Sequence, residues 1–98
     1  MLEVPVHYAL SKAAVAGFGL ALASELRRHN VRVNTVSPGL LADGVASGVP
    51  QEQVKDYLAH CAAGRAGTAA EVAEVACFLA SDAASYVNGQ NILVDGGL

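Results

Sequence analysis

The sequence predicts an α/β fold built around a parallel pair of strands, and three observations carry that expectation. A long apolar segment with helical spacing opens the chain. A β-branched run follows it, and two further helical stretches separate that run from a short β-rich segment near the C-terminus. A strand–helix–strand order calls for a parallel pair joined by a right-handed crossover. The expected order is helix, strand, loop, short helix, helix, strand. Two strands make a poor sheet by themselves, so further strands are expected from sequence upstream of Met1.

Pro5 precedes a helix expected from about residue 7 to residue 29. Val15, Phe18, Leu22 and Leu26 recur at spacing three to four and form one apolar face. Ala9, Ala13, Gly17, Ala21 and Ser24 form a second stripe, whose small side chains permit close approach of a neighbour. Arg27, Arg28 and His29 suit the negative end of the helix dipole, and Asn30 suits a left-handed cap. Residues 31–37 read as a strand ended by Pro38-Gly39. Residues 40–50 read as a loop, and Pro50 is placed to start a short helix over residues 51–61. A turn-rich link over 62–67 leads to Thr68, which can cap a helix over 69–81 with Glu71 at its third position, as in a capping box. Val72, Val75, Ala76 and Leu79 form the apolar face of that helix, and Cys77 is expected in the core. Residues 82–90 connect to a strand over 91–94, followed by Asp95-Gly96-Gly97.

Composition narrows the function classes. Apolar residues make up 53% of the 98 residues and charged residues only 15%, against about 25% in an ordinary soluble domain. A chain this short has much surface for its volume, so some apolar surface is expected to be covered by a missing part of the domain or by a partner subunit. The net charge of −3 leaves no basic patch for nucleic acid. Cys61 and Cys77 are too few for a disulfide framework, which suits reduced thiols and a cytoplasmic setting. Residues 1–7 show no signal peptide, and residues 9–26, interrupted by Ser11, Lys12, Ser24 and Glu25, read as a buried helix of a soluble protein with no membrane role.

Tyr8 and Lys12 carry the chemistry. Four residues apart on a helix, they share one face. An ammonium beside a phenol favours the phenolate, and a Tyr so placed can exchange a proton with an alcohol or carbonyl oxygen. Hydride transfer at a C–O carbon needs that exchange, because the oxygen gains or loses a proton as the hydride moves. The pair alone is a weak signal, since helices produce such spacings by chance.

The wider pattern is specific. Tyr8-Ala9-Leu10-Ser11-Lys12-Ala13-Ala14-Val15 resembles the active-site helix of the short-chain dehydrogenase/reductase family. Val31-Arg32-Val33-Asn34-Thr35-Val36-Ser37-Pro38-Gly39 resembles the strand that follows it there. Gly64-Arg65-Ala66-Gly67-Thr68 with Glu71-Val72-Ala73 resembles the link into the next helix. Phe78 to Asp82, Ser85 to Gln90 and Val94-Asp95-Gly96-Gly97 resemble the family's C-terminal end. The resemblance implies the C-terminal half of a doubly wound Rossmann-type parallel sheet, spanning residues 1–98 as a partial domain. It implies NAD or NADP as cofactor and the interconversion of a carbonyl and a secondary alcohol, with 3-oxoacyl thioesters as the substrate class its tail is most similar to. Tyr8 would then be the catalytic acid/base, and Lys12 would hold the nicotinamide ribose and tune Tyr8. Pro38 and Gly39 would sit beside the nicotinamide ring, and Leu41 would hold its carboxamide through the backbone. Many members place a Thr where this chain has Asp43, a carboxylate that would have to point away from a pyrophosphate. The family's glycine-rich phosphate-binding turn and its catalytic Ser have no match in the 98 residues and are expected upstream of Met1. Family members commonly assemble as homo-oligomers, so a tetramer is expected of a complete protein.

Other signals are weaker. Gly44-Val45-Ala46-Ser47-Gly48 has the wrong spacing for a nucleophile elbow and reads as a loop. The His and Cys residues lack metal-ligand spacing, so no metal is expected. Gly96-Gly97 is not followed by Lys-Ser/Thr and reads as a tight turn, with Asp95 structural. Arg65 could anchor an acidic substrate such as an acyl carrier protein, but a local ion pair or cap partner is the simpler role. An alternative function follows from the missing half. The chain would then be a truncated or split fragment without activity, at most associating with a full-length relative.

Overall fold

The computed structural model describes residues 4–43 and 48–98. Its elements are α1 (Val6–Leu26), β1 (Thr35–Pro38), α2 (Gln51–His60), α3 (Ala69–Ala80) and β2 (Asn91–Val94), with 3-10 turns at Arg27–His29 and Asp82–Ala84. The two strands run parallel, from Thr35 opposite Asn91 to Pro38 opposite Val94, as the strand–helix–strand order requires. The loop residues Gly44 to Ser47 lie outside the described residues.

Local signals set the helix ends. Pro5 stands just before α1, where its carbonyl accepts from Ala9 N–H at 3.0 Å and its missing N–H has no role. Asn30 adopts the left-handed conformation (φ 56°, ψ 36°) and donates to the Arg27 carbonyl. Thr68 caps α3, its hydroxyl oxygen accepting from Glu71 N–H at 3.2 Å.

The first strand begins four residues later than its β-branched composition suggests. Residues 33 and 34 are held by side-chain amides in place of a regular ladder. Val33 N–H donates to Asn88 Oδ1, Gln90 N–H donates to Asn34 Oδ1, and Asn34 Nδ2 donates to the Val87 carbonyl, at 2.9, 3.1 and 3.0 Å. Arg32 is drawn away to the end of α3, where its guanidinium donates to the carbonyls of Leu79, Ser81 and Val87. A cation among the unpaired carbonyls of a helix C-terminus satisfies acceptors that have no partner within the helix.

Only part of the expected apolar face of α1 packs, with Leu22 and Leu26 half-buried beside a contact made by smaller residues. Gly19 and Ala23 are buried, whereas Phe18 is 65% exposed and Val15 is also exposed. A Cβ added at Gly19 would collide with the Thr35 hydroxyl, and one added at Gly89 would lie 3.6 Å from Ala23 Cβ. The contact is so close that only the smallest side chains fit, and the larger apolar residues turn outward. By length and composition Val6–His29 would suffice to cross a membrane; here Gly19 and Ala23 pack against β1 and the turn before β2, while the expected small-residue stripe of Ala9, Ala13, Gly17, Ala21 and Ser24 is exposed.

On α3 only Leu79 is buried, and Cys77 is exposed rather than in the core. Two residues of helix rotate a side chain by about 200°, which sets Cys77 opposite Leu79. Ala76 is exposed as well, so the inward face is Val72, Val75 and Leu79. Cys61, at the end of α2, is the buried thiol. Val6, Leu10, Leu20, Tyr86 and Leu93 remain exposed beside a small core of Ala23, Tyr57, Cys61, Leu79 and Ala84. Fifty-three per cent apolar residues exceed what these elements cover, as the composition implies.

Candidate active site

Two contacts orient α1 against the strands. Leu20 and Ala23 face Gly89, upstream of Asn91, while Gly19 faces Thr35, the register partner of Asn91. Moving toward the helix N-terminus therefore moves toward the carboxyl ends of the strands. Tyr8 lies about 16 Å beyond Gly19 at 1.5 Å per residue. Gly39 lies about 13 Å beyond Thr35 at strand rise. Tyr8 therefore lies on the stretch of α1 directed toward the carboxyl ends of the strands.

Within α1, the Lys12 ammonium sits 5.5 Å from the centroid of the Tyr8 ring, so the four-residue spacing does bring the two together. Tyr8 is 45% exposed, open on the side away from the chain. Ser11, between them, donates to the His7 carbonyl at 2.8 Å and is occupied within the helix. Among the described residues no hydrogen bond or ion pair joins Tyr8 or Lys12 to Pro38, Gly39 or Leu41.

The loop after β1 is tightly held. Gly39 N–H donates to the Val94 carbonyl at 2.9 Å and extends the ladder by one bond. Gly67 N–H donates to the Leu40 carbonyl, and Ala42 N–H donates to the Gly67 carbonyl, both at 2.9 Å, so Leu41 pairs with Gly67 as a parallel bridge. In a trans peptide the C=O and N–H point opposite ways. With the Leu40 carbonyl and the Ala42 N–H both turned to Gly67, the N–H and C=O of Leu41 itself face away from it. Among the described residues neither has a hydrogen-bond partner. Asp43 is exposed. A small crevice of about 50 Å³ beside this loop, lined by Leu40, Leu41, Gly67, Val72, Val94 and Gly96 among others, does not include Tyr8 or Lys12.

Tyr57 is the residue that sequence reasoning missed. It is buried on α2, its hydroxyl accepts from Leu40 N–H and donates to the Asp95 carbonyl, each at 3.1 Å. A single Tyr in a helix of mixed polarity carries no pattern that would reveal this. Gly39 is required by the same packing: a Cβ there would overlap the Tyr57 hydroxyl and come within 2.7 Å of Asp95 Cα. The C-terminal turn is structural as expected, with Asp95 Oδ1 accepting from Gly97 N–H at 3.0 Å. Arg65 takes the local role, ion-paired to Glu71. Hydrogen bonds from Arg65 and then Thr68 hold the Glu71 carboxyl at about 2, well below the ordinary carboxylate range.

The chain has relatives among known proteins. The pattern of the family described as enoyl-(acyl carrier protein) reductase matches residues 2–98. The 3-oxoacyl-[acyl-carrier-protein] reductase of Thermotoga maritima is 45% identical over 92 residues, covering 94% of this chain and 37% of that protein. The reductase of the same name from Escherichia coli K12 is 38% identical, covering 94% of this chain and 38% of its own length. A crystal structure of the 3-oxoacyl-[acyl-carrier protein] reductase from Brucella melitensis superposes with a TM-score of 0.89 at 41% identity, over 97% of this chain and 35% of that one. The chain thus spans a little over a third of the length of the relatives it matches, and its parallel strands and helices form part of a Rossmann-like sheet. With the pattern matched from residue 2 to residue 98, the chain belongs to the enoyl-(acyl carrier protein) reductase family of the short-chain dehydrogenases/reductases.

Proposed function

We propose that these residues supply the proton-transfer and nicotinamide-facing part of an NAD(P)-dependent oxidoreductase. It interconverts a carbonyl and a secondary alcohol, with 3-oxoacyl thioesters of acyl carrier protein as the substrate class. The observation that carries this reading is the open backbone of Leu41 in the loop after β1, in a chain whose first helix brings Tyr8 and Lys12 together. A carboxamide offers a donor and an acceptor, and an unpaired N–H and C=O on one residue match it. Pro38 and Gly39 stand just before that position at the end of β1, where the nicotinamide ring would lie beside them. The Lys12 ammonium, free of any carboxylate among the described residues, can hold ribose hydroxyls. When bound, the nicotinamide supplies the hydride. Tyr8 donates a proton from its hydroxyl to the carbonyl oxygen in reduction and accepts one in oxidation. The cofactor is NAD or NADP, and the groups that hold its adenosine and pyrophosphate lie outside the 98 residues. The names of the relatives support the substrate class, and the reading includes a cytoplasmic setting. Exposed Phe18 and Leu20 on α1, Phe78 on α3 and Leu93 on β2 support a homotetramer paired through α1 and the C-terminal helix and strand.

A chimera tests the reading. Residues 1–98 replace the matching segment of the Thermotoga maritima reductase, and reduction of a 3-oxoacyl thioester by NAD(P)H is assayed. The chimera should turn over, and Tyr8→Phe should lower the rate about 10²–10⁴-fold with cofactor affinity nearly intact. A folded chimera with no reductase activity, or one indifferent to Tyr8→Phe, overturns the assignment. A second reading, an inactive association module, is favoured by the exposed apolar side chains of α1. It predicts the inactive chimera.

A further inference from the structure

We propose that Tyr57 is a positioning residue, whose hydroxyl pins the loop Gly39–Leu41 in the shape that faces the nicotinamide; this rests on the function proposed above. Tyr57 is 6% exposed, and its hydroxyl joins two separate segments. It has one proton to donate, which goes to the Asp95 carbonyl, and it accepts from Leu40 N–H. Gly67 fixes the peptide plane after Leu40 through the Leu40 carbonyl. Tyr57 fixes the plane before it. Gly67 sets where the open N–H and C=O of Leu41 point, and Tyr57 holds the peptide that leads into them. Neither anchor is interchangeable with water. Leu40 is half-buried, the Tyr57 ring fills the space behind it, and Gly39 leaves no room for a side chain between them. The same hydroxyl ties α2, which follows the loop after β1, to the C-terminal turn at Asp95.

The test uses Tyr57→Phe, which keeps the ring and removes only the pin. In the active chimera, KM for NAD(P)H should rise about five- to tenfold, the effect of one lost hydrogen bond, with kcat within about twofold. A merely structural role would instead lower kcat through a smaller folded fraction and leave KM unchanged. In the same chimera, amide exchange over residues 39–42 should accelerate in Tyr57→Phe while exchange in β2 is unchanged. An unaltered KM in an active chimera overturns the proposal, as does unaltered exchange over residues 39–42. A chimera inactive with Tyr57 intact counts against the functional reading alone, and the exchange measurement then decides the pin.

Discussion

Arg65 and Glu71 form a two-pronged ion pair, Nη1 to Oε1 at 2.8 Å and Nη2 to Oε2 at 3.0 Å. The pair joins the link before α3 to its first turn. Thr68 completes it, donating its hydroxyl proton to Glu71 Oε1 at 3.1 Å while accepting from Glu71 N–H. Gly67, between Arg65 and Thr68, is the partner of Leu41. A surface ion pair thus sits two residues from the backbone bridge that shapes the candidate site.

The first prediction concerns acid. The Glu71 carboxyl lies at about 2 in the folded chain, below its ordinary value of 4.5. A depressed carboxyl stabilises the fold above its unfolded value, and that contribution is lost as pH falls from about 4.5 towards 2. Glu71→Gln should flatten the dependence of stability on pH across this window and leave the neutral range little changed, because exposed pairs contribute modestly. Denaturant midpoints followed by circular dichroism between pH 2 and 5 provide the check. Parallel curves for the two proteins would show that the pair does not govern acid stability.

The second concerns space. Gly39→Ala places a methyl against the Tyr57 hydroxyl and Asp95, and overpacking of this kind costs about 1–3 kcal/mol. Combining it with Tyr57→Phe should recover only part of the loss, since the Asp95 backbone contact at 2.7 Å remains. A double-mutant cycle in urea measures the coupling. Additive losses would mean that the methyl and the hydroxyl do not meet.

The third concerns Lys12. In the active chimera, Lys12→Ala should raise KM for NAD(P)H and lower kcat together, because one ammonium serves both ribose and the Tyr8 phenol. A change in KM with kcat intact would confine Lys12 to binding.

The fourth concerns association. With Leu10, Phe18 and Leu20 exposed on α1 and Leu93 on β2, the 98-residue chain should self-associate or aggregate. Among the described residues its sheet has two strands, which leaves open edges. It should bind NAD(P)H weakly and turn over no 3-oxoacyl thioester by itself, since most nicotinamide positioning comes from holding the rest of the dinucleotide. Sedimentation at micromolar concentration and a fluorescence titration measure both. A clean monomer with micromolar cofactor affinity would contradict them.

What the sequence made legible was local. Asn30, Pro50, Thr68 with Glu71, and the strand Asn91–Val94 act within a few residues of where they stand, through caps and backbone preferences. The Tyr8–Lys12 pair was legible for the same reason, since four residues of helix bring two side chains to one face. What stayed hidden depended on distant partners. Residues 31–34 have the composition of a strand, but Asn34, Asn88 and Arg32 give them other hydrogen bonds.

The sequence by itself therefore determined the order of elements, their caps, the parallel pairing and the closeness of Tyr8 and Lys12. Those follow from short-range sterics and hydrogen bonding. Only the tertiary structure decided that α1 packs through Gly19 and Ala23 while Phe18 turns outward, that Cys77 is exposed, and that Tyr57 and Gly67 hold the backbone on either side of Leu41. These outcomes depend on how closely segments tens of residues apart approach one another, and an apolar side chain looks the same in a sequence whichever way it faces.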